Sequence, residues 1–102
     1  MLHLTDTTFN DNTKTGVILV DFYADRCGPC QMLGKLMPHL ANKYEWKAQI
    51  AKVNTDTEFM TTQKYWISAL PTVIVLKDWV EVERLRGLHQ PEVYSEIIDK
   101  HL

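Results

Sequence analysis

The stretch Val17-Ile18-Leu19-Val20-Asp21-Phe22-Tyr23-Ala24-Asp25-Arg26-Cys27-Gly28-Pro29-Cys30 joins an apolar run to a pair of cysteines. Its first six residues are apolar apart from Asp21 and rich in β-branched side chains, the pattern of a strand covered on both faces and central in its sheet. Beyond the cysteines Met32, Leu33, Leu36, Met37, Leu40 and Tyr44 recur at helical spacing, and Pro29 falls near the first turn, where its missing N–H costs little. A helix therefore begins at the cysteines. Pro38 lies inside it, removes the bond to the carbonyl of Gly34, and predicts a bend rather than an end.

Working outward, Gln49 to Asn54 reads as a second strand, with Thr55-Asp56-Thr57 as the cap region of a short helix reaching about Tyr65. Thr72 to Leu76, a turn at Lys77-Asp78-Trp79 and Val80 to Leu85 form a hairpin that Gly87 ends. Pro91 opens a last helix that turns Val93, Tyr94, Ile97 and Ile98 to the sheet. At the front, Leu2 to Leu4 fit a very short strand, whereas Thr7 to Asn12 are too polar to read as a helix. Met32, Met37 and Met60 read as core fillers, and Trp66 and Trp79 as packing or loop residues. The order predicts an α/β fold, a central mixed β-sheet flanked by helices, in a single domain over residues 1–102. Chemistry in such sheets gathers at the carboxyl ends of the parallel strands, where the loop carrying Cys27 lies.

The 102 residues are 45% hydrophobic and 24% charged, a composition expected of one soluble globular domain. Such a domain folds without metal or disulfide support, which leaves the cysteines free for chemistry. Eleven Lys and Arg against 13 Asp and Glu give a net charge of −2 with no basic run, so nucleic acid is not expected as a partner. The apolar stretches fall short of the ~20 residues of a bilayer span, and the N-terminus lacks the basic flank and apolar block of a secretory signal. Together these predict a cytoplasmic protein with no membrane partner. In that reducing compartment a close cysteine pair is catalytic or metal-binding rather than a structural staple.

Cysteines separated by two residues at a helix start sit one turn apart, near enough for their sulfurs to bond or part with little backbone motion. The first thiol also faces the positive end of the helix dipole and unpaired N–H groups, which favour its thiolate. Cys27 is thus the candidate nucleophile, and Cys30, one turn in, the thiol that resolves the mixed disulfide.

The segment Val20 to Cys30 resembles the active site of the thioredoxin family. The resemblance spans nearly the whole chain, through His3-Leu4-Thr5-Asp6, Ala51-Lys52-Val53-Asn54-Thr55-Asp56, Leu70-Pro71-Thr72 and Gly87, in the family's order. It implies a thioredoxin-like fold and a protein-disulfide reductase working by dithiol/disulfide exchange on disulfide-containing proteins. It implies further a cis peptide before Pro71, with Leu70, Pro71, Gly87 and Gly28 as the substrate-binding frame; from the residues alone Pro71 is equally a trans proline opening a strand and Gly87 a turn glycine. No cofactor is bound on this reading: NADPH acts indirectly, through a thioredoxin reductase, and the protein works as a monomer.

Asp21 and Lys52 are charged residues in largely apolar strands. Burial raises a carboxyl pKa and a nearby ammonium lowers it, so Asp21 reads as proton acceptor for Cys30 and Lys52 as its tuner; the bland alternative is a surface-facing pair at strand ends. Arg26 stands where the family commonly has tryptophan. Its guanidinium either favours the Cys27 thiolate, alongside Pro29, or is simply solvated. Lys35 replaces the usual helix proline, and Trp66, Ala69 and Trp79 stand where the family often has glycine. Two other functions stay open: a non-catalytic binding subunit using the groove near Pro71, which the intact cysteine pair disfavours, and a metal site shared between chains. One chain offers only two thiols, and His3, His39, His89 and His101 show no ligand spacing with them, so no metal is expected.

Overall fold

The computed structural model describes residues 1–102. In chain order the elements are β1 (Leu2–His3), α1 (Phe9–Asn12), β2 (Val17–Tyr23), α2 (Gly28–Lys43), β3 (Gln49–Asn54), α3 (Phe59–Lys64), β4 (Thr72–Lys77), β5 (Val80–Arg86) and α4 (Pro91–Asp99). The five strands form one sheet in the order β1-β3-β2-β4-β5. β1, β3 and β2 run parallel, while β4 and β5 join antiparallel, so the sheet is mixed.

β2 is central because both of its faces are apolar. Strand alternation sends Val17 and Leu19 to one cluster and Ile18, Val20 and Phe22 to the other. The first cluster is closed by Leu33, Met37 and Leu40 of α2 and by Tyr94, Ile97 and Ile98 of α4. Phe9 of α1, with Tyr65 and Ile67 after α3, closes the second. α2 runs unbroken through Pro38 to Lys43, so this proline does not end the helix.

Three local expectations change. Thr7 to Asn12 contain a one-turn helix, because the buried Phe9 anchors a segment whose other side chains stay in water. α3 begins after Glu58, beyond the turn at Thr55-Asp56-Thr57, and Glu58 makes no side-chain cap. Of the three methionines read as core, only Met37 is buried; Met32 and Met60 are 63% and 74% exposed, on the outer faces of their helices. Trp66 and Trp79 lie in turns, the loop placement expected of them, with φ of 53° and 77° in the left-handed region that glycine occupies freely. Asp78, at φ 49°, and Trp79 form the two-residue hairpin turn whose twist suits antiparallel strands.

The strand registers place the site. Phe22 pairs with Thr72, Thr72 with Arg86, and Tyr23 with Asn54. One residue beyond these pairs lie Ala24, Pro71, Gly87 and Thr55, all at the same end of the sheet.

Candidate active site

Cys27 caps α2 with an extended backbone (φ −85°, ψ 111°), and its sulfur accepts the amide of Cys30 at 3.2 Å. Pro29 occupies the first turn as its fixed φ favours. The loop before the helix is held by the amide of Cys27 donating to the carbonyl of Ala24 (3.2 Å) and by Gln31 Nε2 donating to that of Asp25 (3.0 Å). Cys27 and Cys30 are joined by a disulfide, with Cα atoms 5.1 Å apart. The two cysteines differ in access: Cys27 is half-buried, Cys30 only 4% exposed. Arg26, Gly28 and Pro29 are exposed around them, and Arg26 forms no ion pair.

Asp21 is fully buried and neither of its carboxyl oxygens has a hydrogen-bonding partner in the protein. This overturns the surface-pair alternative for Asp21. It shares strand parity with Val17 and Leu19, so it faces the α2 side, as does its register partner Lys52. Burial pushes the Asp21 carboxyl up to about 7 against the opposing pull of the Lys52 ammonium. Lys52 is half-buried and its Nζ lies 4.3 Å from the centre of the Tyr23 ring. A Cβ built on Gly34 would stand 3.8 Å from that Nζ, so the bare backbone of α2 passes over the lysine. A cleft of about 200 Å³ brings Cys30 and Lys52 together with Tyr23, Ala24, Asp25 and Gln31.

The Leu70-Pro71 peptide is cis. Pro71 is buried and Leu70 half-buried, and the Thr72 hydroxyl fastens this step by donating to the carbonyl of Ala69 at 2.6 Å. Gly87, at φ 79°, donates its amide to the carbonyl of Pro71 at 2.8 Å. The two framing elements are thus one hydrogen-bonded unit at the end of the sheet that carries Cys27. Tyr23 and Gln31 are the residues that the motif reading passed over. Strand parity flags Tyr23, two positions from Asp21 on the same face; nothing in the sequence flags the Gln31 contact. No cluster of three or more His, Cys, Asp or Glu side chains forms that could hold a metal ion, and no helix is long and apolar enough to cross a membrane.

Comparison with known proteins gives one answer. The thioredoxin family model matches residues 1–100. Thioredoxins of Staphylococcus saprophyticus and Staphylococcus aureus are each 40% identical over 102 residues, covering 100% of this chain and 98% of theirs. The X-ray structure of Fasciola hepatica thioredoxin superposes with a TM-score of 0.90 at 31% identity, with 100% of both chains covered. A sheet of this topology with a bridged cysteine pair at the tip of its long helix defines a thiol–disulfide oxidoreductase of the protein-disulfide reductase type. The chain belongs to the thioredoxin family.

Proposed function

We propose that reduced Cys27 opens the substrate disulfide and that Cys30 closes the cycle. The Cys27 thiolate bonds to one substrate sulfur as the substrate S–S bond breaks, and the other substrate sulfur leaves as a thiolate. Cys30 then gives its proton to the Asp21 carboxylate and attacks the Cys27 sulfur. The mixed disulfide breaks, the second substrate thiolate departs, and the Cys27–Cys30 disulfide remains. The substrate has gained two electrons and the dithiol has lost them. A carboxyl near 7 suits a base working at neutral pH, with Lys52 tempering its rise. Leu70 offers its backbone to an extended substrate segment beside Pro71, with Gly87 and Gly28 leaving room for the partner's main chain.

The observation that carries this reading is the unequal burial of the two cysteines, because the more accessible one meets a protein substrate first. Iodoacetamide should label Cys27 and spare Cys30 in the reduced protein, and Cys30→Ser should trap a mixed disulfide that Cys27→Ser does not. Preferential labelling of Cys30 would reverse the roles.

The finer expectations join this reading as proposals. The partners are disulfide-containing proteins and a thioredoxin reductase that draws on NADPH. The protein acts in the cytoplasm as a monomeric single domain and turns over without a cofactor or metal of its own. Insulin reduction with added dithiothreitol tests the activity against the binding-subunit alternative, for which no turnover is expected.

A further inference from the structure

Lys52 and Asp21 stand side by side in the register of β3 and β2, yet the lysine forms no ion pair; the four ion pairs of the chain use Lys14, Arg84, Lys100 and His101. Its Nζ lies instead 4.3 Å from the centre of the Tyr23 ring, inside the distance over which a ring face attracts an ammonium. Tyr23 is two residues beyond Asp21 on the same face of β2, so the lysine stem runs along the strand by roughly 6 to 7 Å, past the carboxyl. It ends in the cleft that Tyr23 and Lys52 share with Cys30.

Core packing does not account for the ring. Tyr23 is the one residue of β2 that is not buried, it belongs to neither apolar cluster, and no aromatic ring stacks on it. The ammonium also passes the bare backbone of Gly34, where an added Cβ would stand 3.8 Å from Nζ. Moving inward, toward Asp21, would strip its remaining water; moving outward would add to it. The ring face holds it between the two. The other groups around the pair come from several elements: β4 sets the apolar Val73 beside Asp21, Tyr94 of α4 feels the Asp21 charge, and Asp25 and Glu58 join Asp21 in facing Tyr23. Burial first, then those three carboxylates, push the Tyr23 hydroxyl up, so the ring is a neutral phenol where Asp21 titrates.

We propose that Tyr23 is a positioning residue of the exchange reaction: its ring face seats the Lys52 ammonium in the cleft, holds it at a fixed remove from Asp21, and so sets the pH at which that carboxyl serves as base. The proposal rests on the reading of Asp21 as the proton acceptor for Cys30. Without the ring the ammonium extends into water, its attraction for the carboxylate weakens with distance, and Asp21 keeps its proton to higher pH.

Titrating Asp21 by carboxyl carbon-13 NMR in the oxidised protein tests the seat without passing through activity. In Tyr23→Leu the midpoint should move up by about 0.5 to 1 in pH, as carrying the charge a few ångströms away implies, and Tyr23→Phe, which keeps the ring face, should stay with the parent. Lys52→Met should raise the midpoint at least as far, and adding Tyr23→Leu to it should raise it no further, since the ring acts only through the ammonium. An unmoved or lowered midpoint in Tyr23→Leu, an equal shift in Tyr23→Phe, or the same rise on the Lys52→Met background would overturn the proposal. The pH profile of insulin reduction reads the base separately: it should move up with the midpoint in Tyr23→Leu and lose the Asp21 limb in Asp21→Asn. A profile changed by Asp21→Asn but not by Tyr23→Leu speaks against Tyr23 alone. A profile that neither variant changes, with the NMR shifts intact, removes the base reading and the part of Tyr23 in exchange with it, and leaves only the seat.

Discussion

Asp21 and Lys52 are register partners on adjacent parallel strands and face the same side of the sheet, yet neither carboxyl oxygen is hydrogen-bonded and the ammonium lies over the Tyr23 ring. The lysine thus tempers the buried acid at a distance without neutralising it. The protein keeps a carboxyl that is costly to ionise on the sheet face that α2 covers.

The stability sign follows from the direction of that shift. A carboxyl moved from 3.8 to about 7 on folding contributes fully below the unfolded value, and the contribution falls away as pH rises through the folded one. Asp21→Ala should therefore be more stable than the parent, by a margin that grows between about pH 4 and pH 7 and levels off at no more than about 4 kcal/mol. Urea denaturation at pH 4 and pH 8 measures it. The same variant should reduce insulin about tenfold or more slowly at pH 7; a margin equal at both pH values would show that the carboxyl ionises as readily in the folded protein as in the unfolded chain.

Arg26 stands exposed beside Cys27 with no carboxylate to engage it. An exposed charge at this distance is worth well under 1 kcal/mol, so Arg26→Trp should slow iodoacetamide alkylation of reduced Cys27 at neutral pH by about two- to threefold. The effect should shrink in high salt. Unchanged alkylation would leave Arg26 as a solvated rim residue.

Asp6 supplies the cap that α3 lacks locally. Its carboxylate accepts the amides of Thr61 (2.8 Å) and Met60 (3.2 Å) and the Thr61 hydroxyl (2.7 Å), while its own amide donates to Glu58 (2.9 Å). Partial desolvation works to raise this carboxyl, but the Thr61 and Met60 hydrogen bonds together outweigh it and hold Asp6 below its ordinary range. The stabilisation is present above the unfolded value and is lost as pH falls through the folded one. Asp6→Ala should cost about 1 to 2 kcal/mol at pH 7, and less as the pH is taken below 4, by urea titration.

Tyr44, buried at the end of α2, donates its hydroxyl to Asp99 Oδ1 at 2.7 Å and so ties α2 to α4. Tyr44→Phe keeps the ring in the core and removes that bond together with the longer contact of the same hydroxyl to the Ser95 carbonyl (3.2 Å). The cost should be about 1 kcal/mol, a fall of about 4–8 °C in thermal midpoint for a domain of this size.

Local chemistry accounts for the parts that were legible in the chain. The double-faced apolar run around Val20, the helix opened by Pro29, the hairpin and the final amphipathic helix all follow from periodicity, because residues two or four apart on one strand or helix necessarily share a face. The cysteine spacing likewise carried the chemistry, since one helical turn is the distance over which two thiols can bond. Polar composition misled at Phe9, where a single anchoring side chain sufficed for a turn of helix, and residue type misled at Met32 and Met60, because a helix of the right amphipathic pattern still turns some apolar side chains to water.

Tertiary structure alone decided how the charges are spent. Whether Asp21 meets water or core depends on which helix covers its face, and which residue caps α3 depends on a carboxylate 55 positions from Thr61 in the chain. Burial, remote hydrogen bonds and solvent exposure are properties of surfaces brought together across the fold, and no window of neighbouring residues contains them.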